Sequence, residues 1–278
     1  MRILARLGTL MVLALTGLAQ AAAQGAELVV VDTPRGVKQR FAVTAPAEPV
    51  ASVILFTGGG GELDLSSPTE MKRGAQSFLV RVRDKLVAHN VMVALMDTPA
   101  DRPGGMDVSF RMGNAHAGDI GAVAAFLKLQ ADVPVWLVGT NMGTISAAWG
   151  AIAADNVDGL VLTSTITRPK AGSKTAEKLS DGVASLPLED VTVPTLIMSH
   201  ADDACDLSPA EGTEKLKKRL SNAKALDVVT LKGDVPAGTE QPCGARSAHG
   251  FSGVDADAVE AIAKFIKANS PAAEPEKQ

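Results

Sequence analysis

Short apolar runs alternate with amphipathic stretches along most of the chain, the pattern of strands followed by helices. Glu27 to Val31 and Lys38 to Val43 flank the turn Asp32-Thr33-Pro34-Arg35-Gly36, which predicts an antiparallel hairpin at the start of the domain. Val50 to Phe56 reads as a buried strand running into Thr57 and four glycines, Gly58 to Gly61. Phe78 to His89 carries apolar residues at 78, 79, 82 and 86, one face of a helix. Val91 to Met96 is the next strand, and a loop follows from Asp97 through Gly105. His116 to Gln130 predicts a helix with Ile120, Val123, Ala124 and Leu127 on its apolar face.

The stretch from Pro134 to Trp149, PVWLVGTNMGTISAAW, is a strand, a tight turn and a helix in immediate succession. Strands follow at Val157 to Ser164, Val193 to Ser199 and Leu226 to Leu231, and an amphipathic helix at Val254 to Ala268. Thr165 to Asp190 is polar and long enough only for a small lid. Asn269 to Gln278 has no apolar face and reads as a disordered tail. Strands alternating with helices imply a mostly parallel sheet with helices on both faces, so the fold class is α/β. There is no internal repeat.

Composition fits one such domain: 278 residues, 46% of them hydrophobic and 21% charged, suffice for a large core. Residues 1–23 begin with Arg2 and Arg6, continue through a short apolar run and end in small residues, the layout of a signal peptide. The domain is therefore placed at 24–268 and the protein in the periplasm or outside the cell, with no membrane association after cleavage. Losing the leader removes two arginines and no acid, taking the formal charge from −4 to −6. An acidic chain without a basic stripe excludes nucleic acid as the expected partner. Cys205 and Cys243 are the two cysteines, and an oxidising destination predicts a disulfide between them. The loop it would close is worth about 4 kcal/mol by chain entropy.

The turn Gly139-Thr140-Asn141-Met142-Gly143 has the form of a nucleophile elbow, G-x-S-x-G. In such a turn the glycines allow the backbone to double back, the central side chain enters the site, and the next N–H is aimed at an oxyanion. The glycine run after the third strand can supply further N–H donors, from Gly59 or Gly60. A phosphate-cradling loop is the rival reading, but the Gly-Lys-Ser/Thr ending is missing. His116 and Asp119 lie in the first turns of their helix and read as surface residues. Thr140 should point away from the site, and Ser146 lies a turn into the helix.

The stretches LFTGGGG, FLVRVRDKL, VWLVGTNMGTISAA, DGLVLTS, VPTLIMSHADDAC and CGARSAHGF, taken together, resemble the α/β-hydrolase family along nearly the whole mature chain. The likeness is strongest to exported bacterial serine hydrolases. It implies a site in the order nucleophile, acid, base, with Asn141 at the nucleophile position, Asp203 as the acid and His249 as the base. Asp202 and Asp206 are rivals for the acid. Oxyanion or substrate donors would be the N–H groups of Met142 and of Gly59 or Gly60. A carboxylate closing a strand can fix the tautomer of a histidine on the next loop, which is the same assignment reached from chemistry. Cys205 lies two residues after Asp203 and Cys243 six before His249, so their disulfide would tie the acid loop to the base loop.

Asn141 departs from the family pattern, because a carboxamide has no hydroxyl for a histidine to deprotonate. The inherited chemistry is hydrolysis of an ester-like bond in a small-molecule substrate, and Asn141 leaves turnover open. One alternative is a non-catalytic periplasmic binding protein, a pseudoenzyme that keeps the pocket. Another is base-only catalysis by His249 and Asp203 without a covalent intermediate. Conversion of Asn141 to Asp ranks behind both, and an engineered replacement of Ser is also compatible with the sequence. No metal or organic cofactor is expected, since no His, Cys and Asp cluster has metal-ligand spacing.

Overall fold

The computed structural model describes residues 24–236 and 241–270. The leader read at 1–23 and, of the tail read at 269–278, residues 271–278 lie outside the described residues; Asn269 is the last residue of the final helix. The strands are β1 (Gln24–Asp32), β2 (Lys38–Ala45), β3 (Ala51–Phe56), β4 (Val91–Met96), β5 (Val135–Thr140), β6 (Gly159–Thr163), β7 (Thr195–His200) and β8 (Leu226–Leu231). Between and after them run the helices α1 (Phe78–Ala88), α2 (Val108–Arg111), α3 (Asn114–Gln130), α4 (Gly143–Ala153), α5 (Lys174–Lys178), α6 (Glu211–Arg219) and α7 (Asp255–Asn269).

All eight strands form one sheet in the order β1-β2-β4-β3-β5-β6-β7-β8. β2 pairs antiparallel with both β1 and β4, and the remaining pairings are parallel. The central strands are buried along their whole length, which parallel strands covered on both faces require. Alternate side chains serve two cores. Ile54, Phe56, Leu137, Leu160 and Ile197 pack with α3, α4 and α6 on one face. Val53, Leu55, Trp136, Val138, Val161 and Leu196 pack with α1 and α7 on the other. Ser270, just past α7, accepts a hydrogen bond from the Trp136 indole at 3.2 Å, which ties the end of α7 to β5.

Three sequence expectations change. His116 and Asp119 are fully buried, not on the surface. Arg35, from the turn between β1 and β2, reaches across to Asp119 at 2.8 Å and to Asp101 at 2.6 Å. These hydrogen bonds, Asp101 first, hold the Arg35 pKa above its ordinary range, and Asp101 is lowered in turn. The polar stretch 165–190 packs on the core through Leu179, Val183, Leu186 and Leu188. Finally, α2 and α6 are helices that no apolar pattern announced; α6 presents only Gly212 and Leu216 as buried residues.

Candidate functional site

The elbow sits where β5 ends and α4 begins. Its glycines are required by close approach: a Cβ on Gly139 would lie 2.5 Å from the Gly143 carbonyl oxygen, and one on Gly143 would lie 2.1 Å from that of Phe56. Asn141 between them has φ of 52°, the left-handed region that Asn tolerates better than most residues. The turn thrusts its side chain into a cleft of about 470 Å³. Gly58, Gly59, Glu62, residues 72–78, Cys243 and His249 line that cleft. Thr140, the last residue of β5, also borders it.

The carboxamide of Asn141 is held at both ends. Its Oδ1 accepts the Met142 N–H at 2.7 Å, which fixes the amide so that Nδ2 faces His249 Nε2 at 2.8 Å. An amide nitrogen can only donate there, so Nε2 presents its lone pair and the imidazole proton resides on Nδ1. Nδ1 lies 2.9 Å from Asp203 Oδ2. His249 and Asp203 are both nearly inaccessible, with 4% and 5% of their side chains exposed. The base-position histidine is therefore oriented from both sides, as a tautomer-fixing pair demands.

Asp203 is itself pinned. The Cys205 N–H donates to its Oδ1 at 2.9 Å and the Ser208 hydroxyl to its Oδ2 at 2.9 Å. Ser208 Oγ is also 2.9 Å from His249 Nδ1. Neither Asp202 nor Asp206 makes a hydrogen bond to His249; Asp203 alone of the three does. Cys205 and Cys243 are joined, their Cα atoms 4.6 Å apart, so one covalent bond links the Asp203 loop to the stretch leading into His249. Asp203, Cys205 and His249 place ligand atoms within 4.8 Å of one another, but the disulfide removes the thiolate that a metal would need.

Several residues that position the site were not found from sequence. Ser164, at the end of β6 with φ of 45°, donates its hydroxyl to the His249 carbonyl at 2.6 Å. Arg81 on α1 donates to the carbonyls of Ala245 and Gly250 and pairs with Asp255, clamping the His249 turn to the helix. Phe251 packs its ring 4.7 Å from that of Phe78 behind the same turn. Such residues leave no motif, since a serine after a strand or an arginine on a helix looks like any other.

The glycine loop contributes backbone. The Gly60 carbonyl accepts from Met106 N–H at 2.8 Å, and the Gly61 N–H donates to Gly58 at 3.2 Å. Among the described residues, the Gly59 and Gly60 N–H groups find no protein acceptor. Behind the loop, His116 stands between Phe56 and Phe110 with neither ring nitrogen bonded. Burial, with help from Arg111 and Arg35, pushes its pKa down to about 3, so it is neutral at ordinary pH.

No protein-family model and no curated protein matches the sequence. Solved structures do resemble it. An esterase of Pyrococcus furiosus superposes with a TM-score of 0.61 at 14% identity, covering 88% of this chain and 92% of its own. A cold-adapted esterase from an Arctic intertidal metagenomic library gives 0.54 at 17% identity, over 86% and 93%. A protein of unknown function from Agrobacterium tumefaciens, provisionally classed as an α/β hydrolase, gives 0.55 at 13%, over 89% and 100%.

The chain has the α/β-hydrolase fold. At these identities the likeness is one of architecture, and the site has to be argued on its own residues. Within the α/β-hydrolase fold, the elbow after β5, the loop after β3, the acid after β7 and the histidine before the last helix all meet at the carboxyl ends of the parallel strands. Asn141, Asp203 and His249, read separately from the sequence, are brought into one hydrogen-bonded row there.

Proposed function

We propose that this chain is an exported hydrolase-type protein whose cleft takes a small ester-like ligand and whose Asn141 holds that ligand without being acylated. The observation that carries the reading is the double engagement of the Asn141 carboxamide, by the Met142 N–H and by His249 Nε2. Its nitrogen lone pair is delocalised into the carbonyl, so His249 has no proton to remove that would create a nucleophile. Where a hydrolase of this fold needs a hydroxyl and an empty oxyanion donor, the same amide occupies both places.

Esterase architecture in the structural neighbours supports the ligand class, and the intact pairing of His249 with Asp203 supports descent from a working hydrolase. Base-only hydrolysis is the second reading. It is favoured by the fixed Nδ1–H tautomer, but a water could use Nε2 only after Asn141 swings away. Gly59 and Gly60 are assigned to ligand binding through their N–H groups, with no metal or organic cofactor; the Met142 N–H, expected as a further donor, is taken by Asn141 Oδ1. The Cys205–Cys243 disulfide and the leader-like first 23 residues support a periplasmic or secreted location.

Intact-mass analysis after incubation with a fluorophosphonate tests the reading. The expected result is an unshifted mass, which also reports that Asn141 has not become Asp. A stoichiometric adduct on the untreated sequence would overturn it.

A further inference from the structure

Among the described residues, Arg111 is a buried cation with no carboxylate in hydrogen-bonding contact. It ends α2, is fully buried, and donates from Nη1 to Ser146 Oγ at 2.6 Å and from Nη2 to the Gly59 carbonyl at 2.9 Å. Its Nε is buried and unpartnered. Desolvation pushes its pKa down to about 10, which still leaves it charged at neutral pH. The loop has been shaped around it: a Cβ on Gly61 would lie 2.9 Å from Arg111 Nη2, and Gly61 has φ of 81°. Glu62 acts on Arg111 through space without bonding to it, and its carboxylate also lines the cleft beside Arg73. A buried guanidinium so placed is costly unless something compensates it.

The peptide from Gly59 to Gly60 is trans, so its N–H points opposite to the carbonyl that Arg111 holds. Arg111 thus fixes and polarises one N–H donor, and the Gly59 N–H beside it is also without a protein acceptor. Asn141 lies against this loop: a Cβ on Gly58 would sit 3.2 Å from Asn141 Oδ1. Through Ser146 on α4, the same guanidinium ties the loop to the helix that starts at the elbow.

We propose that the hollow beside Asn141 is a binding site for small carboxylates, with Arg111 as the charge behind it that makes an anion preferred over a neutral acyl group. The inference rests on reading the cleft as an acyl pocket and adds the ionic state of its ligand. One carboxylate oxygen would take the loop N–H donors, and the other would accept from the Asn141 amide. Arg111 is a positioning residue: it acts through the Gly59–Gly60 peptide and touches no ligand.

The test is titration of the full mature protein with propionate and with its neutral isostere propionamide, followed by amide shifts of Gly59 and Gly60. The expected result is a Kd for propionate lower by about ten-fold or more than that for propionamide. Arg111→Met should bring propionate to the propionamide value while leaving propionamide unchanged, and Arg111→Lys should keep a preference for the anion. Equal binding of both ligands by the natural protein would overturn this inference alone. Parallel weakening of both in a folded Arg111→Met protein would also overturn it, because the residue would then be only a structural prop. If Arg111→Met does not fold, loss of the preference in a folded Arg111→Lys protein overturns the inference and its retention supports it. Binding of neither ligand would overturn the acyl-pocket reading as well.

Discussion

Asn141 Nδ2 lies 2.8 Å from His249 Nε2, where a hydrolase of this fold would have a hydroxyl donating to the same nitrogen. The geometry of the contact is preserved and its chemistry is not. A serine surrenders its proton along that line and becomes a nucleophile, whereas an amide only donates. The remainder of the relay, through Nδ1 to Asp203, is in place.

The tautomer of His249 follows directly. Nitrogen-15 spectra of the ring should show Nδ1 protonated and Nε2 bare in the resting protein. Removing the donor in Asn141→Ala should leave Nδ1–H intact, because Asp203 fixes it independently. An Nε2–H tautomer in the natural protein would mean that the amide is reversed and that the Met142 contact is lost.

The disulfide should be complete in protein purified without reductant. Alkylation without reductant is expected to label neither Cys205 nor Cys243, and labelling of both would contradict the pairing. Cys243→Ser should lower stability by about 2–5 kcal/mol, the usual cost of losing a native disulfide. Because the Cys205 N–H holds Asp203 Oδ1, the same change should broaden the His249 resonances.

His116 makes stability depend on pH. Its pKa is about 3 in the folded protein and near the ordinary histidine value once unfolded, so between those limits the unfolded chain binds the extra proton. The stabilisation is fully present above about pH 6.5 and is lost progressively as pH falls toward 3, by up to about 1.4 kcal/mol per unit. Denaturant unfolding at stepped pH should therefore show a shallower acid decline in His116→Phe than in the natural protein. Parallel declines would indicate that the buried imidazole does not titrate on unfolding.

Much of the sheet was legible because fully buried strands write themselves as apolar runs, as in VILF before Thr57 and VWLV before Gly139. The elbow, the acid loop and the His249 loop were legible because each combines a chain reversal with a chemically distinctive residue. His116 and Asp119 were misread since a helix start looks polar from sequence, and nothing local shows that Arg35, 84 residues from Asp119, will cover it. Helix α6 escaped because a surface helix carrying Glu, Lys and Arg needs little apolar face to dock. Ser208, Ser164, Arg81 and Arg111 escaped for another reason: their contacts with His249, its carbonyl, the Gly250 carbonyl and the Gly59 carbonyl join residues far apart in sequence, and only the folded chain brings those partners close.

Steady-state hydrolysis of p-nitrophenyl acetate by Asn141→Ser tests whether the carboxamide at position 141 is what keeps this site from turning over esters. Because the members of a triad act as a unit, restoring the hydroxyl is expected to raise the rate by roughly a thousand-fold or more over the natural protein. The gain should vanish in Asn141→Ser with His249→Ala. An Asn141→Ser protein that is folded yet no faster than the natural one would contradict the account.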